Sequence, residues 1–571
     1  MTGGGAMFLN DAVGRSGLQY VCNHHEQACA MAAEGYARIT NRLGVASVTT
    51  GPGGINALNG VYGAWTDSVP LLVISGQVKR ETCMETYQIP GLRQLGDQEV
   101  DIIPLAQPLT KYAVSVHKPE EIRFHLEKAL YLATTGRKGP CWIDVPVDVQ
   151  SAEINPEELT GYSPEAAPKP NLDPAQIAAV AKALIQAKRP LLMTGNGVRI
   201  AQAVDEMQAL SKRLKIPVVT SWTSLDQMDS NDPLYFGRTG ILGERRGNLA
   251  LCNTDCLITL GSRLNIRQIS YDWKNFAPQA FKVQVDIDPA ELIKPTCSPN
   301  IAVQADVRDF IQALDQALDS LPNLDPNWVG WGPRAKVAFP MVNPQHAAGP
   351  KLNPYHFIDR LFAKLDKSAI VVSGNGSACV VPNHGATVKF GQRIFCNSGD
   401  ASMGYDLPAA LGAAFAAPGK PVICLAGDGS LMMNLQEIET LRSHPHLQLK
   451  LFIINNEGYL SIRQTQDGFF KGFRVGSCPQ SGLSIPDFTQ LLNAWGLPCQ
   501  KADYNNLDAC IDWALATSGP VAVEVMVDPA QPFEPKLASK RLPDGKMQSP
   551  AFDDMAPFLD RSIIEPFLFR D

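Results

Sequence analysis

The chain has 571 residues, of which 45% are hydrophobic and 19% are charged, and its formal net charge is -7 at pH 7. This length exceeds what one hydrophobic core supports, so about three domains are expected at roughly 100–200 residues each. The lack of a basic excess argues against nucleic-acid and membrane-surface partners, because little would neutralise their phosphates.

The sequence carries no signal for secretion or membrane insertion. Residues 1–10 lack a basic segment followed by a long apolar run, and no apolar run reaches the roughly 18 residues of a membrane span. The thirteen cysteines are scattered without the spacing of a zinc site, so reduced core thiols are expected. These features predict a cytoplasmic protein.

An amphipathic helix is predicted to begin near Glu26. Apolar residues recur at helical spacing from Ala28 to Tyr36, and an apolar run at 18–22 is predicted to form a strand before the helix. A glutamate in a first helical turn ordinarily complements the helix dipole or caps the helix. The position of Glu26 alone therefore does not indicate a catalytic role.

Strands and helices alternate through the rest of the first segment. A β-branched run at 45–50 ends at Gly51-Pro52-Gly53, and a second strand at 71–74 stops before Gly76. Nearly continuous apolar strands of this kind indicate a parallel sheet that is covered on both faces.

Two proline-rich polar stretches, at 151–173 and 322–354, are predicted to be linkers because proline disfavours both helix and sheet. They divide the chain into domains at 1–152, 173–322 and 350–530, followed by a C-terminal tail at 531–571. The middle domain repeats the α/β pattern, with strands at 191–194, 257–260 and 283–287. It has only a weak glycine motif at 195–197 rather than GxGxxG.

The strongest chemical signal is a pair of motifs in the third domain. A strand at 422–426 runs into Gly427-Asp428-Gly429, and after a gap of 25 residues a second strand runs into Asn455-Asn456. One helix and one strand fit this gap, so both motifs are expected at the same edge of a sheet, where ligands of open α/β sheets bind.

These residue types suit a magnesium ion that holds a diphosphate. The Asp428 carboxylate, the Asn456 amide oxygen and the Gly458 carbonyl are the oxygen ligands that Mg²⁺ prefers. Gly427 and Gly429 would allow phosphates to approach the backbone at a helix N-terminus. A tight turn and a strand cap remain the alternative for either motif taken alone.

The spacing GDG, 25 residues, NN resembles the signature of thiamin-diphosphate (ThDP) dependent enzymes. The segment HEQACAMAAEGYAR resembles the helix that carries their cofactor-activating glutamate. The resemblance covers nearly the whole chain and implies an α/β fold of three doubly wound parallel-sheet domains, which are pyrimidine-binding, central and diphosphate-binding. It also implies that Glu26 activates ThDP and that Asp428, Asn456 and Gly458 bind Mg²⁺.

The remaining site residues follow from the same resemblance. It implies substrate contacts by Gln98 and Lys111. For Met403, which would support the bent cofactor, ordinary core packing is the alternative. The cofactor contacts that it implies are Pro52, Asn56, Gly376, Ser377, Met403, Gly427, Gly429, Ser430 and Asn456. Since the two cofactor-binding domains of one site come from different subunits in this family, a homodimer or homotetramer is implied.

Within this family the chain is most similar to the acetolactate-synthase-like branch, through the segment LGDQEVD at 95–101. Asp97 stands where that branch has phenylalanine, and Thr465 stands where it has tryptophan. Smaller polar groups would widen and wet the acceptor side of the site. We therefore expect decarboxylation of a 2-keto acid, pyruvate, and transfer of the acyl unit to a carbonyl acceptor such as a keto sugar.

Three alternatives stay open. They are acetolactate synthase itself, a pyruvate-oxidase-like flavoenzyme, and a non-catalytic relative, which the intact set of Glu26, Asp428 and Asn456 disfavours. The middle domain resembles an FAD-binding domain, with Arg263, Asp286 and Asp288 at strand ends, but some relatives keep this domain without FAD. The resemblance also implies a helix and a strand before Thr2, so the first domain is N-terminally short. Either the start is misassigned, the chain is truncated or the first domain is weakened, and we favour a misassigned start.

Overall fold

The computed structural model describes residues 1–164, 171–541 and 543–569. It contains three parallel sheets of four, six and six strands, which confirms the predicted α/β class with three parallel-sheet domains. The chain divides into two compact units. The first comprises Met1–Ala167, Ala369–Ala378 and Phe395–Met526, and the second comprises Pro168–Ser368, Cys379–Ile394 and Val527–Asp571.

The first sheet has the strand order β1-β2-β4-β3. Its strands are β1 (Gly44–Val48), β2 (Leu71–Gln77), β3 (Tyr112–Ser115) and β4 (Pro140–Pro146). The helices around it are α1 (Met7–Arg15), α2 (Glu26–Thr40), α3 (Pro52–Thr66), α4 (Met84–Tyr87), α5 (Ile103–Ala106), α6 (Ile122–Thr134) and α7 (Val147–Gln150). Every residue of β4 is buried, as expected for a strand covered on both faces.

The second sheet has the order β10-β9-β8-β5-β6-β7. Its strands are β5 (Pro190–Thr194), β6 (Val218–Thr220), β7 (Tyr235–Arg238), β8 (Cys256–Leu260), β9 (Phe281–Asp286) and β10 (Ile301–Gln304). Its helices are α8 (Pro174–Gln186), α9 (Asn196–Ile200), α10 (Val204–Leu214), α11 (Arg245–Asn253), α12 (Ile266–Ile269), α13 (Pro289–Leu292), α14 (Val307–Ala317) and α15 (Trp328–Ala338).

The third sheet has the order β12-β11-β13-β14-β16-β15. Its strands are β11 (Ile370–Ser373), β12 (Arg393–Cys396), β13 (Val422–Gly427), β14 (Leu449–Asn455), β15 (Cys499–Ala502) and β16 (Val521–Met526). The helices of this part of the chain are α16 (Pro354–Lys364), α17 (Ser377–Gly385), α18 (Asp406–Ala416), α19 (Asp428–Leu431), α20 (Glu437–Arg442), α21 (Leu460–Phe469), α22 (Phe488–Ala494) and α23 (Leu507–Ala516).

The C-terminal tail packs on the second sheet. It forms the antiparallel pair β17 (Lys540–Arg541) and β18 (Met547–Gln548) and the short helix α24 (Arg561–Ile564). Phe552 and Met555 join the same buried cluster as Leu257 of β8. The tail therefore contributes to the core of the second unit.

Two predicted elements differ in the structure. The run at 18–22 is not a strand: it pairs with no described strand, and Leu18 and Tyr20 are 67% and 60% exposed. The stretch at 322–354 is not an irregular linker throughout, because α15 forms within it despite Pro333. Burial of Trp328 and Trp331 offsets the hydrogen bond that proline removes. Pro168 and Pro170 of the other predicted linker lie outside the described residues.

Helices α2 and α18 pack closely within the first unit. A Cβ atom on Gly35 would collide with the carbonyl oxygen of Ala409, and one on Gly412 would collide with the carbonyl oxygen of Ala32. Glycine on both helices thus permits their backbones to touch. Since α2 begins at Glu26, this contact fixes the position of that residue relative to the third sheet.

The thirteen cysteines are all free thiols, and only Cys22 is exposed. This agrees with the expectation of core thiols. Among the described residues, no group of three or more His, Cys, Asp and Glu side chains could hold a metal ion. No helix in the described ranges has the length and apolarity required to cross a membrane.

Candidate active site

Glu26 and Asn56 form one half of the candidate site. Glu26 is 8% exposed, and the Asn56 amide donates to its Oε2 at 3.0 Å. His25 caps the helix by accepting a hydrogen bond from the Gln27 N–H, which sets the direction of the first turn. The other oxygen, Oε1, lies only 3.7 Å from where a Cβ atom of Gly53 would be. A Cβ atom at position 53 would cover this oxygen at ordinary van der Waals distance, and glycine leaves it uncovered.

The loop after β1 brings Pro52 and Gln98 to the same edge of the first sheet. Gly51 has φ +60°, and a Cβ atom there would collide with the carbonyl oxygen of Gln98. Gln98 itself has φ +60° and is exposed. Pro52 begins α3, where its missing N–H costs nothing, and it is also exposed. Pro52 and Gln98 thus border the half-site formed by Glu26 and Asn56.

Lys111 does not lie at this edge. It immediately precedes β3, at the amino end of the sheet, whereas the Gly51 loop follows the carboxyl end of β1. Its ammonium group donates to the carbonyl oxygens of Thr135 and Arg137, both at 2.7 Å. Burial lowers the pKa of Lys111. The structure therefore gives Lys111 contacts that differ from the expected substrate contact.

Asp428 is the centre of the second half of the site. Its carboxylate accepts hydrogen bonds from the backbone N–H groups of Gly429 at 2.7 Å, Asn456 at 3.1 Å and Gly458 at 2.8 Å. Burial raises the pKa of Asp428 to about 6, against the lowering effect of these N–H groups. The predicted meeting of the two motifs at one sheet edge is thus observed: β13 and β14 are paired neighbours, and both end here.

Asn456, whose backbone N–H donates to Asp428, carries a buried side-chain oxygen. Its Nδ2 donates to Ser377 Oγ at 2.7 Å, which fixes the orientation of the amide. Its Oδ1 is buried and has no hydrogen-bond partner within the described ranges. An orphaned buried carbonyl oxygen costs free energy, so its retention points to a ligand. Gly376, at φ +63°, directly precedes Ser377 at the start of α17.

Two charged residues that the sequence pattern did not single out hold this loop. The guanidinium group of Arg463, on α21, donates to the carbonyl oxygens of Glu457 at 2.8 Å and Asn456 at 2.7 Å. Glu524, on β16, accepts from Asn455 Nδ2 at 2.8 Å. Both residues are buried. Their separation from the NN motif along the chain hides these contacts from sequence inspection.

Ser430 is committed to the protein rather than left free. Its hydroxyl donates to Asp406 at 2.6 Å and accepts from the Gly404 N–H at 2.8 Å. Met403, partly exposed, directly precedes this contact. Burial raises the pKa of Asp406 to about 6. The contact connects the loop that carries Met403 to the GDG turn, so the two predicted cofactor regions are brought together.

Comparison with known proteins agrees with this geometry. The thiamine pyrophosphate enzyme N-terminal TPP-binding domain matches residues 1–103, the central domain matches 177–314, and the C-terminal TPP-binding domain matches 374–525. The acetolactate synthase large subunit of Cyanidium caldarium is 32% identical over 532 residues, which cover 91% of this chain and 88% of that protein.

The chain belongs to the thiamine pyrophosphate enzyme family. Two further relatives are the probable acetolactate synthase large subunit of Methanocaldococcus jannaschii and the isozyme 2 large subunit of Escherichia coli, both 30% identical. The first alignment covers 99% of this chain and 96% of the relative, and the second covers 92% of each. The chain is thus a ThDP-dependent, acetolactate-synthase-like enzyme.

The two positions at which we expect departures from the acetolactate-synthase pattern are exposed in this ThDP enzyme. Asp97 is exposed in the loop before Gln98. Thr465 is exposed on α21, and its hydroxyl donates to the Ser461 carbonyl oxygen at 3.0 Å. Phe469, Phe470 and Phe473 follow and are 55%, 62% and 73% exposed. The surface beyond the NN motif is therefore apolar but lacks an aromatic residue at 465.

In the central domain, the residues predicted to hold FAD lie at or just after strand ends, as expected from the sequence. Asp286 ends β9 and accepts a hydrogen bond from the Asp288 N–H at 3.0 Å, and Asp288 caps α13. Arg263 has φ +58° in the loop after β8. The backbone of Gly195 approaches Gly261 so closely that a Cβ atom would not fit. This close approach holds the ends of β5 and β8 together.

Proposed function

We propose that this enzyme uses ThDP and Mg²⁺ to decarboxylate pyruvate and to join the resulting two-carbon acyl unit to an acceptor carbonyl. The observation that carries the proposal is the buried Asn456 Oδ1, which has no partner in the described part of the chain and belongs to a residue whose backbone N–H donates to the Asp428 carboxylate. Oxygen donors of these two types fit Mg²⁺. The fit supports a metal that holds the diphosphate of the cofactor.

The protein residues have distinct roles in this proposal. Asp428, Asn456 and the Gly458 carbonyl would hold Mg²⁺, and ThDP, when bound, supplies the electron sink for loss of CO₂. Glu26 would hold a proton at its Oε1 against the cofactor ring, while Asn56 fixes the other carboxylate oxygen. Gln98, at the border of this half-site, would contact the substrate.

For the acceptor we favour a polar carbonyl compound such as a keto sugar. The exposed Asp97 and Thr465 support this choice, because neither provides the apolar wall that a second small keto acid would contact. Acetolactate synthesis from two pyruvate molecules is the second candidate, favoured by the relatives at 30–32% identity. The resemblance of the central domain to an FAD-binding domain supports a third candidate, a flavin-dependent oxidation, which would need bound FAD.

One experiment separates these candidates. The protein is incubated with pyruvate, ThDP and Mg²⁺, with and without keto sugars, and CO₂ and products are followed by mass spectrometry. A branched sugar product supports the first candidate, and acetolactate from pyruvate alone supports the second. Untouched pyruvate under every condition would remove the donor assignment. Glu26→Gln serves as the inactive control, with an expected loss of about 10²–10⁴-fold in turnover.

We also propose that each site combines Glu26 of one subunit with the metal-binding residues of another. At a Mg²⁺ concentration too low to activate Asn456→Leu, a mixture of Glu26→Gln and Asn456→Leu chains would then regain activity, because a hybrid dimer carries one intact site. Random exchange would restore about a quarter of the wild-type activity. No recovery after verified subunit exchange would place both halves of the site within one chain.

A further inference from the structure

The second unit contains a cavity on one face of its sheet. It encloses about 290 Å³ between β8, β9 and the segments at 264–276 and 295–299. The sequence explains why no long helix fills this space. Between β8 and β9 the chain forms only short helical turns, and between β9 and β10 only the four-residue helix α13. Pro295 and Pro299 keep the covering segment irregular.

The lining of the cavity combines apolar walls with positive charge. Among its lining residues, Leu257 and Phe276 are buried and Trp273 is 36% exposed. The lining side chains include Lys274 and Lys282, and no acidic residue is among those described. Lys282 is partly buried, and this burial lowers the pKa of its ammonium group.

Gln284 gives the cavity a hydrogen-bonding group that the protein does not use. The residue is 3% exposed and lines the cavity. Its Nε2 donates to the Glu291 carbonyl oxygen at 3.1 Å, but its Oε1 is buried without a hydrogen-bond partner among the described residues. Such an acceptor is costly to bury unless something donates to it.

We infer that this cavity binds a small carboxylate with an apolar or aromatic body and a hydrogen-bond donor at its far end. The carboxylate pairs with Lys274 and Lys282, the body packs against Phe276 and Leu257, and the donor reaches Gln284 Oε1. The volume lies near the lower limit of small-molecule sites, which restricts the ligand to a compact molecule.

This site differs from the strand-end region discussed above. Lys282 is the second residue of β9, whereas Asp286 is the last, so the cavity extends toward the amino end of the strand and over its face. Asp286, Asp288 and Arg263 do not line it. The inference therefore does not rest on the proposed function or on flavin binding.

The test uses the full-length protein and three related probes in isothermal titration calorimetry. The compound 4-hydroxyphenylacetate has the carboxylate, the ring and the donor. Phenylacetate lacks the donor, and tyramine replaces the carboxylate with an ammonium group. We expect one 4-hydroxyphenylacetate per chain, binding about threefold to tenfold tighter than phenylacetate. Tyramine should bind at least about tenfold more weakly, because two lysines repel it.

Variants locate the site. Lys282→Gln and Gln284→Leu should each weaken 4-hydroxyphenylacetate binding by about threefold or more. Lys212→Gln is the matched control, since Lys212 is exposed on α10, whose apolar residues pack on the opposite face of the sheet. Glu26→Gln should leave binding unchanged, which separates this cavity from the candidate active site. Absent binding of 4-hydroxyphenylacetate, or equal affinity for all probes and variants, would overturn the inference.

Discussion

Lys111 and Lys450 make equivalent contacts in two different sheets. Lys111 donates to the carbonyl oxygens of Thr135 and Arg137, and Lys450 donates to those of Thr517 and Gly519. Each lysine stands at the amino end of its strand and reaches the C-terminal end of the helix before the neighbouring strand. A cation at a helix C-terminus is stabilising, so both contacts fasten a helix-to-strand turn.

We predict that Lys111→Met lowers the thermal unfolding midpoint and leaves the KM for pyruvate within about twofold of wild type. Hydrogen bonds to a charged group are worth about 1.5–3 kcal/mol, and two would be lost. Lys450→Met is the matched variant and should destabilise at least as much, because Lys450 is only 1% exposed. A large increase in KM without loss of stability would instead restore the substrate contact expected from sequence.

Asn456→Leu is predicted to weaken metal binding without a large loss of folding stability. The change removes an orphaned buried oxygen, so the metal-free protein should keep its stability to within about 1–2 kcal/mol, despite the lost contact with Ser377. The Mg²⁺ concentration for half-maximal activity should rise at least about tenfold.

The neighbouring Asn455→Leu is the matched control for that change. Its amide donates to Oε1 of the buried Glu524, so the substitution removes the hydrogen bond to that oxygen and should lower the unfolding midpoint, although Thr489 and Lys501 still contact Oε2. If Asn456→Leu destabilised the metal-free protein as strongly and left the Mg²⁺ requirement unchanged, Oδ1 would have no role in metal binding.

Arg463→Lys is predicted to weaken cofactor binding more than catalysis. A lysine can replace one of the two hydrogen bonds to the carbonyl oxygens of Glu457 and Asn456, but not both in the same geometry. The ThDP concentration for half-maximal activity should rise about threefold to tenfold, and excess ThDP and Mg²⁺ should restore kcat. Arg474→Lys, which alters an exposed pair with Asp467, should change neither value. A loss of kcat that cofactor cannot restore would contradict a positioning role.

Asp144 should make stability depend on pH in an unusual direction. Burial raises its pKa to about 7, although Ser75 and Gln77 donate to the carboxylate. The folded state therefore holds a proton that the unfolded chain releases near its ordinary pKa of 3.8. Stability from this group is full below pH 3.8 and falls as pH rises toward 7, by at most about 4 kcal/mol.

The variant Asp144→Asn should remove this decline, as measured by urea unfolding between pH 4.5 and 7.5. Asp148→Asn is a control of opposite sign. Burial raises the pKa of Asp148, but the hydrogen bonds and charge of Arg80 outweigh burial, so the pKa is lowered overall. The Asp148–Arg80 pair therefore loses its stabilising effect only in acid. Identical pH profiles for wild type and Asp144→Asn would show that Asp144 is ionised in the folded protein.

The sequence predicted the elements that depend on local pattern. Strands ending at Gly427 and Asn455, and the helix beginning at Glu26, were predictable because apolar periodicity and spacing determine them. Contacts between distant segments were not. Arg463 and Glu524 carry no local signal, and the position of Lys111 at the amino end of a strand becomes visible only once the pairing of β3 with β4 is known. The exposed run at 18–22 shows that an apolar pattern alone cannot supply a pairing partner.

The glycine contact between α2 and α18 has a consequence for variation far from the chemistry. Because the two backbones are in contact there, even the methyl group of an alanine at position 35 or 412 would increase the separation of the two helices. A displacement of α2 would move its first residue, Glu26. Glycine at positions 35 and 412 therefore determines where the Glu26 carboxylate lies. A substitution at either position could lower turnover without any change to a catalytic group.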